Sequence, residues 1–134
     1  MAMEIVVTHG GGKKINAEVN GFTVHTDQGP RSGGEGSAPE PFTLFLTSLA
    51  TCAGIYVVSF CQARNIPTEG VRLIQDHDFD PRTGKLSRIR LEVELPKDFP
   101  EKYRDAVVRA AAACTVKKTM ESPPEMLLES RVTP

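Results

Sequence analysis

Three cysteines, Cys52, Cys61 and Cys114, are the side chains whose type and placement could carry chemistry in this 134-residue sequence. The reactive form of a cysteine is the thiolate, which needs a nearby cation, a helix N-terminus or a metal to lower its pKa. Cys52 stands in an uncharged, apolar stretch whose sequence neighbours offer none of these, so its local context is that of a small core hydrophobe. Any activation must come from elsewhere in the fold. Cys114 is followed by Lys117 and Lys118, which fall on its own face if the segment is helical. A chain break at Ala113 would also put Cys114 at a new helix N-terminus, where the dipole favours a thiolate. The competing reading is that the two lysines are a solvated face. Cys61 lies nine residues after Cys52, so the two point to nearly opposite sides of one helix. Cys61 reads as a core residue.

Other chemistries find little support. The cysteines form no CxxC, which excludes zinc and thioredoxin-type motifs, and their odd number does not suit a disulfide framework. His9, His25 and His77 lie on separate strand-like segments without ligand spacing, so no metal or other cofactor is expected. There is no nucleophile elbow and no Ser-His-Asp pattern. Gly10-Gly11-Gly12-Lys13 lacks the earlier glycine and the following Ser or Thr of a phosphate loop, and reads as a turn. Sixteen basic against seventeen acidic residues leave a formal charge of −1; with no Trp and 6% aromatics, a nucleic-acid partner is not expected. The N-terminus has no basic and apolar leader pattern, so a cytoplasmic protein with free thiols is the expectation.

The elements that must position the thiols follow from periodicity, and the length suits one domain over residues 1–134. Glu4–His9, Lys14–Val19 and Phe22–Thr26 predict strands, with Asn20-Gly21 a hairpin turn. Gln28–Pro39 is a Gly-, Ser- and Pro-rich loop. From Pro41 no charged residue appears until after Ala63, which predicts a helix of roughly 35 Å that ends before Pro67. Its recurring Thr and Ser argue against a membrane span, so no membrane partner is expected. A helix without a charged face must be covered all round, and one small sheet covers one side; a second subunit would cover the other. Val71–Phe79 and Leu86–Leu95 predict a hairpin with Ile89, Leu91, Val93 and Leu95 inward. Asp98 with Glu101 suggests a capping box for a helix through Ala113, with an apolar stripe of Tyr103, Val107, Ala110 and, if the helix continues, Cys114. Thr115–Glu121 reads as a short helix, and Met126–Val132 as a last strand after Pro123-Pro124. The fold class is α+β, with a long central buried helix packed on antiparallel sheets.

Two stretches carry a family resemblance. Asp27-Gln28 through Gly33-Gly34 to Pro39, followed by the run from Pro41 to Cys52, resembles the OsmC/Ohr family of osmotically inducible and organic hydroperoxide resistance proteins. Cys114-Thr115-Val116-Lys117-Lys118-Thr119-Met120 is similar to that family's second cysteine motif, and the order of elements matches over nearly the whole chain. The resemblance implies an intertwined homodimer and thiol-dependent reduction of organic hydroperoxides or peroxide. It assigns Cys52 as the peroxidatic thiol and Cys114 as the resolving one. An external dithiol, such as a lipoyl group, would reduce the pair. Peroxidase members hold an Arg near the thiolate with a Glu at the start of the long helix. Here Arg31 is the cationic candidate, Thr43 and Phe42 stand nine and ten residues before Cys52, and the nearest acid is Glu40. Two other functions remain open: a redox sensor, and a non-catalytic dimeric binding protein for an apolar small molecule.

Overall fold

The computed structural model describes residues 3–134 in two compact units, residues 3–47 and 48–134, with one helix running from the first into the second. In the first unit, strands β1 (Val6–His9), β2 (Ile15–Val19) and β3 (Phe22–Thr26) form an antiparallel sheet in the order β1-β2-β3. The β2–β3 connection is the Asn20-Gly21 turn, with φ of 49° and 80°. Both positions are left-handed, as a two-residue hairpin of this hand requires.

Helix α1 spans Pro41–Ala63. Proline suits its first position because that N–H would have no helical partner, and the following uncharged residues carry the helix without interruption. Its C-terminus is closed by two reversed hydrogen bonds, Ile66 N–H to the Cys61 carbonyl (2.9 Å) and Asn65 N–H to the Gln62 carbonyl (3.3 Å). Asn65 takes the left-handed conformation (φ 54°) that this ending needs. Ile66 is thereby folded back into the core beside Cys61 before Pro67 stops the helix.

In the second unit, β4 (Arg72–Phe79) pairs antiparallel with β5 (Leu86–Glu94). Leu73, Ile89, Leu91 and Val93 pack toward the core. Arg72–Glu94 and Arg90–Asp76 form ion pairs on the opposite face, at 2.8 and 2.7 Å. Helix α2 (Arg104–Ala112) follows a single 3-10 turn at Glu101–Tyr103, and α3 is Thr115–Glu121. The core lies along one stripe of α1, Leu49, Ala53, Val57 and Cys61, four residues apart, packed with Val107, Ala111 and Cys114. The far side of α1 is left open by the described residues: Ile55 is 58% exposed.

Three sequence expectations are corrected. No capping box forms at Asp98 and Glu101; the turn begins at Pro100 and neither it nor α2 has a side-chain cap bond. Within α2 the buried residues are Val107 and Ala111, so Ala111 rather than Ala110 continues the stripe, four residues after Val107. Met126–Val132 is not a strand. An apolar run becomes a strand only when a sheet edge meets its N–H and C=O groups. Among the described residues none does, and Met126, Leu127 and Leu128 stay exposed. Val57, at 0% exposure in the centre of the stripe, makes the core testable: Val57→Ala should cost about 2 kcal/mol in chemical denaturation. A loss under about 0.5 kcal/mol would show that the stripe is not the centre of the core.

Candidate thiol site

The three cysteines are all free and occupy three different environments. Cys61 is fully buried, and desolvation pushes its thiol pKa up, opposed by the charge of Arg64. That makes it a poor nucleophile. Cys52 is half-buried, one position off the stripe, and packs against the edge of the core. Cys114 is 1% exposed and is the residue at which α2 and α3 part. Its extended backbone (φ −65°, ψ 146°) makes it the N-cap of α3, and its Sγ accepts the Lys117 N–H at 3.4 Å. The break anticipated at Ala113 is therefore present. The Lys117 cation is less available than its spacing suggests, since its ammonium is paired with Glu121 at 2.9 Å, one turn on.

Two observations bring the Cys52 turn and Cys114 to one region. A cavity of about 240 Å³ is walled by Leu49, Ala53, Ile89, Leu91, Cys114 and Lys117, among other apolar side chains. Leu49 and Ala53 flank Cys52 on α1, three residues before it and one after. Second, Tyr56, one turn beyond Cys52, makes a 2.9 Å hydroxyl–hydroxyl hydrogen bond with Thr115, the residue after Cys114. Nothing in the sequence patterns marks Tyr56, although its i+4 spacing from Cys52 is legible there. A second cavity of about 540 Å³, walled by residues such as Arg64, Pro67, Phe99 and Tyr103, contains no cysteine.

Arg31 belongs to the other unit. It sits in a 3-10 turn, Pro30–Ser32, is exposed, and makes no ion pair among the described residues. The turn is built by two carboxylates that hold backbone rather than guanidinium. Glu40 accepts the Gly29 N–H at 3.1 Å. Asp27, 1% exposed, accepts from the N–H groups of Gln28, Glu35 and Ser37 and from the Ser37 hydroxyl, the last at 2.6 Å. These bonds, led by those from Ser37, hold the Asp27 carboxyl down at about 2. Gly34 completes the loop: a Cβ there would collide with the Gln28 carbonyl, so no larger residue fits without moving backbone. The histidines are held locally: His9 to the Gly12 carbonyl, His25 to Asn16 and His77 to Gln75.

A small α+β chain with one cysteine in the middle of a long uncharged helix and another opening a short helix beside it has the architecture of an OsmC-like protein. A sequence model of the OsmC-like protein family matches residues 34–129, and the chain belongs to that family. Its fold is similar to three solved structures at low sequence identity. A Psychrobacter arcticus protein, provisionally described as an osmotic stress induced and detoxification response protein, has a TM-score of 0.75 at 20% identity, with 89% of each chain covered. An OsmC-like protein from Mycoplasma pneumoniae has 0.71 at 14% identity, covering 92% of this chain and 89% of that one. An organic hydroperoxide resistance protein OsmC from Legionella pneumophila has 0.60 at 18% identity, covering 90% and 89%. No curated protein matches the sequence.

The Asp27 cluster predicts an acid transition confined to the loop. A carboxyl whose pKa is about 2 in the folded protein and near 3.8 otherwise stabilises the fold fully above pH 4. That contribution is lost as the pH falls from about 4 towards 2. Amide protection factors across residues 28–37, corrected for the intrinsic pH dependence of exchange, should fall in this window, and Asp27→Asn should show low protection already at pH 7. Protection factors unchanged between pH 5 and 2 in the wild type would contradict it.

Proposed function

We propose that this protein reduces organic hydroperoxides, or peroxide, through the pair Cys52 and Cys114. The observation that carries the reading is the placement of Cys114 at the α3 start, on a cavity shared with the residues that flank Cys52. Cys52 is the peroxidatic thiol in this scheme: its thiolate attacks the O–O bond, giving a sulfenic acid and an alcohol after one proton is taken up. Cys114 then attacks the sulfenic sulfur, releasing water and forming the disulfide. A dithiol, of which lipoyl groups are one class, reduces it by two exchange steps. A reducing cytoplasmic setting suits three free thiols. Family membership and the Legionella relative's description support the substrate class.

The Arg that would stabilise the thiolate is Arg31, which has no carboxylate partner among the described residues, while Glu40 holds the backbone of its turn. A homodimer supports the scheme, because the uncovered side of α1 around Ile55 and the exposed apolar residues of 126–132 need a cover that the chain itself does not give them. Should the thiols be inert, the apolar 240 Å³ cavity favours the binding of a small apolar molecule.

One equivalent of cumene hydroperoxide should produce an intramolecular Cys52–Cys114 disulfide, read by peptide mapping. Cys52→Ser should abolish oxidation of the pair, and Cys114→Ser should leave Cys52 as sulfenic or sulfinic acid. Oxidation of Cys114 at the wild-type rate in Cys52→Ser would reverse the roles. Reaction of neither thiol faster than free cysteine would exclude the peroxidase. Sedimentation at micromolar concentration should give the mass of a dimer, and a monomer there would remove the proposed interface.

A further inference from the structure

Tyr56 makes a polar link between the helix that carries Cys52 and the turn that carries Cys114. It is half-buried, it lies four residues after Cys52, and its hydroxyl is 2.9 Å from Thr115 Oγ1. Long side chains on a helix lean toward its N-terminus, so the Tyr56 ring covers the turn before its own, which is the turn of Cys52. Further bonds at this junction stay within α2 and α3: Cys114 N–H to the Ala111 carbonyl, Lys117 N–H to Cys114 Sγ, Lys118 N–H to the Cys114 carbonyl, and Thr119 hydroxyl to the Thr115 carbonyl. They fix the shape of the α3 start but not its place on α1. Apolar packing of Cys114 against the stripe has no preferred register, whereas a hydroxyl pair has a fixed length and direction.

We propose that Tyr56 is a positioning residue for the cysteine pair: through Thr115 it pins the α3 start over the Cys52 turn, so that a Cys52–Cys114 disulfide closes without displacement of the segment. This rests on the proposed pairing of the two thiols but not on any peroxidase activity. Two Cα atoms more than about 7 Å apart cannot be bridged without backbone movement, and an anchor one residue from Cys114 bears directly on that limit. The closure reaction balances without peroxide: two thiols and one oxidised glutathione give the protein disulfide and two reduced glutathiones.

The test is the equilibrium constant of that reaction in a glutathione redox buffer, measured for the full chain by acid quench and mapping. Tyr56→Phe and Thr115→Val each remove one hydroxyl of the pair. Each should lower the constant by about tenfold, the scale of ordering one backbone residue that the hydroxyl pair already holds in place in the dithiol protein. Thr115→Ser, which keeps the hydroxyl, should restore it, and Tyr56→Phe combined with Thr115→Val should cost no more than either alone. A purely structural role would move the melting temperatures of Tyr56→Phe, Thr115→Val and Thr115→Ser without this pattern of loss and rescue, and would overturn the proposal. So would wild-type constants in Tyr56→Phe and Thr115→Val, or a wild-type protein whose two thiols do not pair in oxidised glutathione. A wild-type protein that closes the disulfide with glutathione but ignores hydroperoxides would sink the peroxidase and leave the role of Tyr56 intact.

Discussion

A helix of 23 residues without a charged side chain has no face that water solvates well, and the second unit is arranged around that constraint. The stripe Leu49, Ala53, Val57 and Cys61 repeats every four residues, which turns slowly about the helix axis and offers a narrow seam. The inward side chains of the β4–β5 hairpin and residues Val107, Ala111 and Cys114 share that core. Ala53 and Ala111 are the small members of this core, and Leu49, Val57, Ile66, Phe99 and Val107 its larger ones. The reversed hydrogen bonds at Asn65 then fold Ile66 onto the end of the same seam, so one cap ends the helix and extends the core together.

Much of this was legible in the sequence, for reasons that differ by element. Pro41 and the charge-free run fix α1 because proline position and burial are local signals. Asn20-Gly21 fixes the first hairpin because few residue pairs tolerate two left-handed positions. The alternation along β5 fixes its faces. What failed depended on partners. The Asp98–Glu101 pattern satisfies a capping template, yet Pro100 draws the chain into a 3-10 turn first. The apolar run after Pro123-Pro124 has strand composition and no edge to join within the described residues.

The candidate site divides in the same way. Cys52, Cys114 and a helix start at Cys114 could be read from spacing and from the resemblance. The Tyr56–Thr115 bond could not, because it joins residues fifty-nine apart, and no pattern encodes a contact of that separation. Nor could the use of Asp27 and Glu40. Both are acids close to Arg31 in sequence, and a reading by charge alone would pair them with it. The loop instead spends them on backbone N–H groups, which a glycine-rich segment leaves without other partners.

The sulfur of Cys114 has a second occupation: it ends a helix. Its lone pair meets the Lys117 N–H in the place that a serine or aspartate oxygen takes at most helix starts. Whatever changes that sulfur therefore changes the helix, and linkage makes the relation reciprocal. A thiolate there is a stronger acceptor than a thiol and tightens the first turn, whereas a sulfur drawn away into a bond with another atom leaves an amide uncapped. If Cys114 is oxidised as proposed, the first turn of α3 answers to the state of one sulfur, and a spectroscopic signal from the backbone of Thr115–Lys117 would report that oxidation without a label on any cysteine.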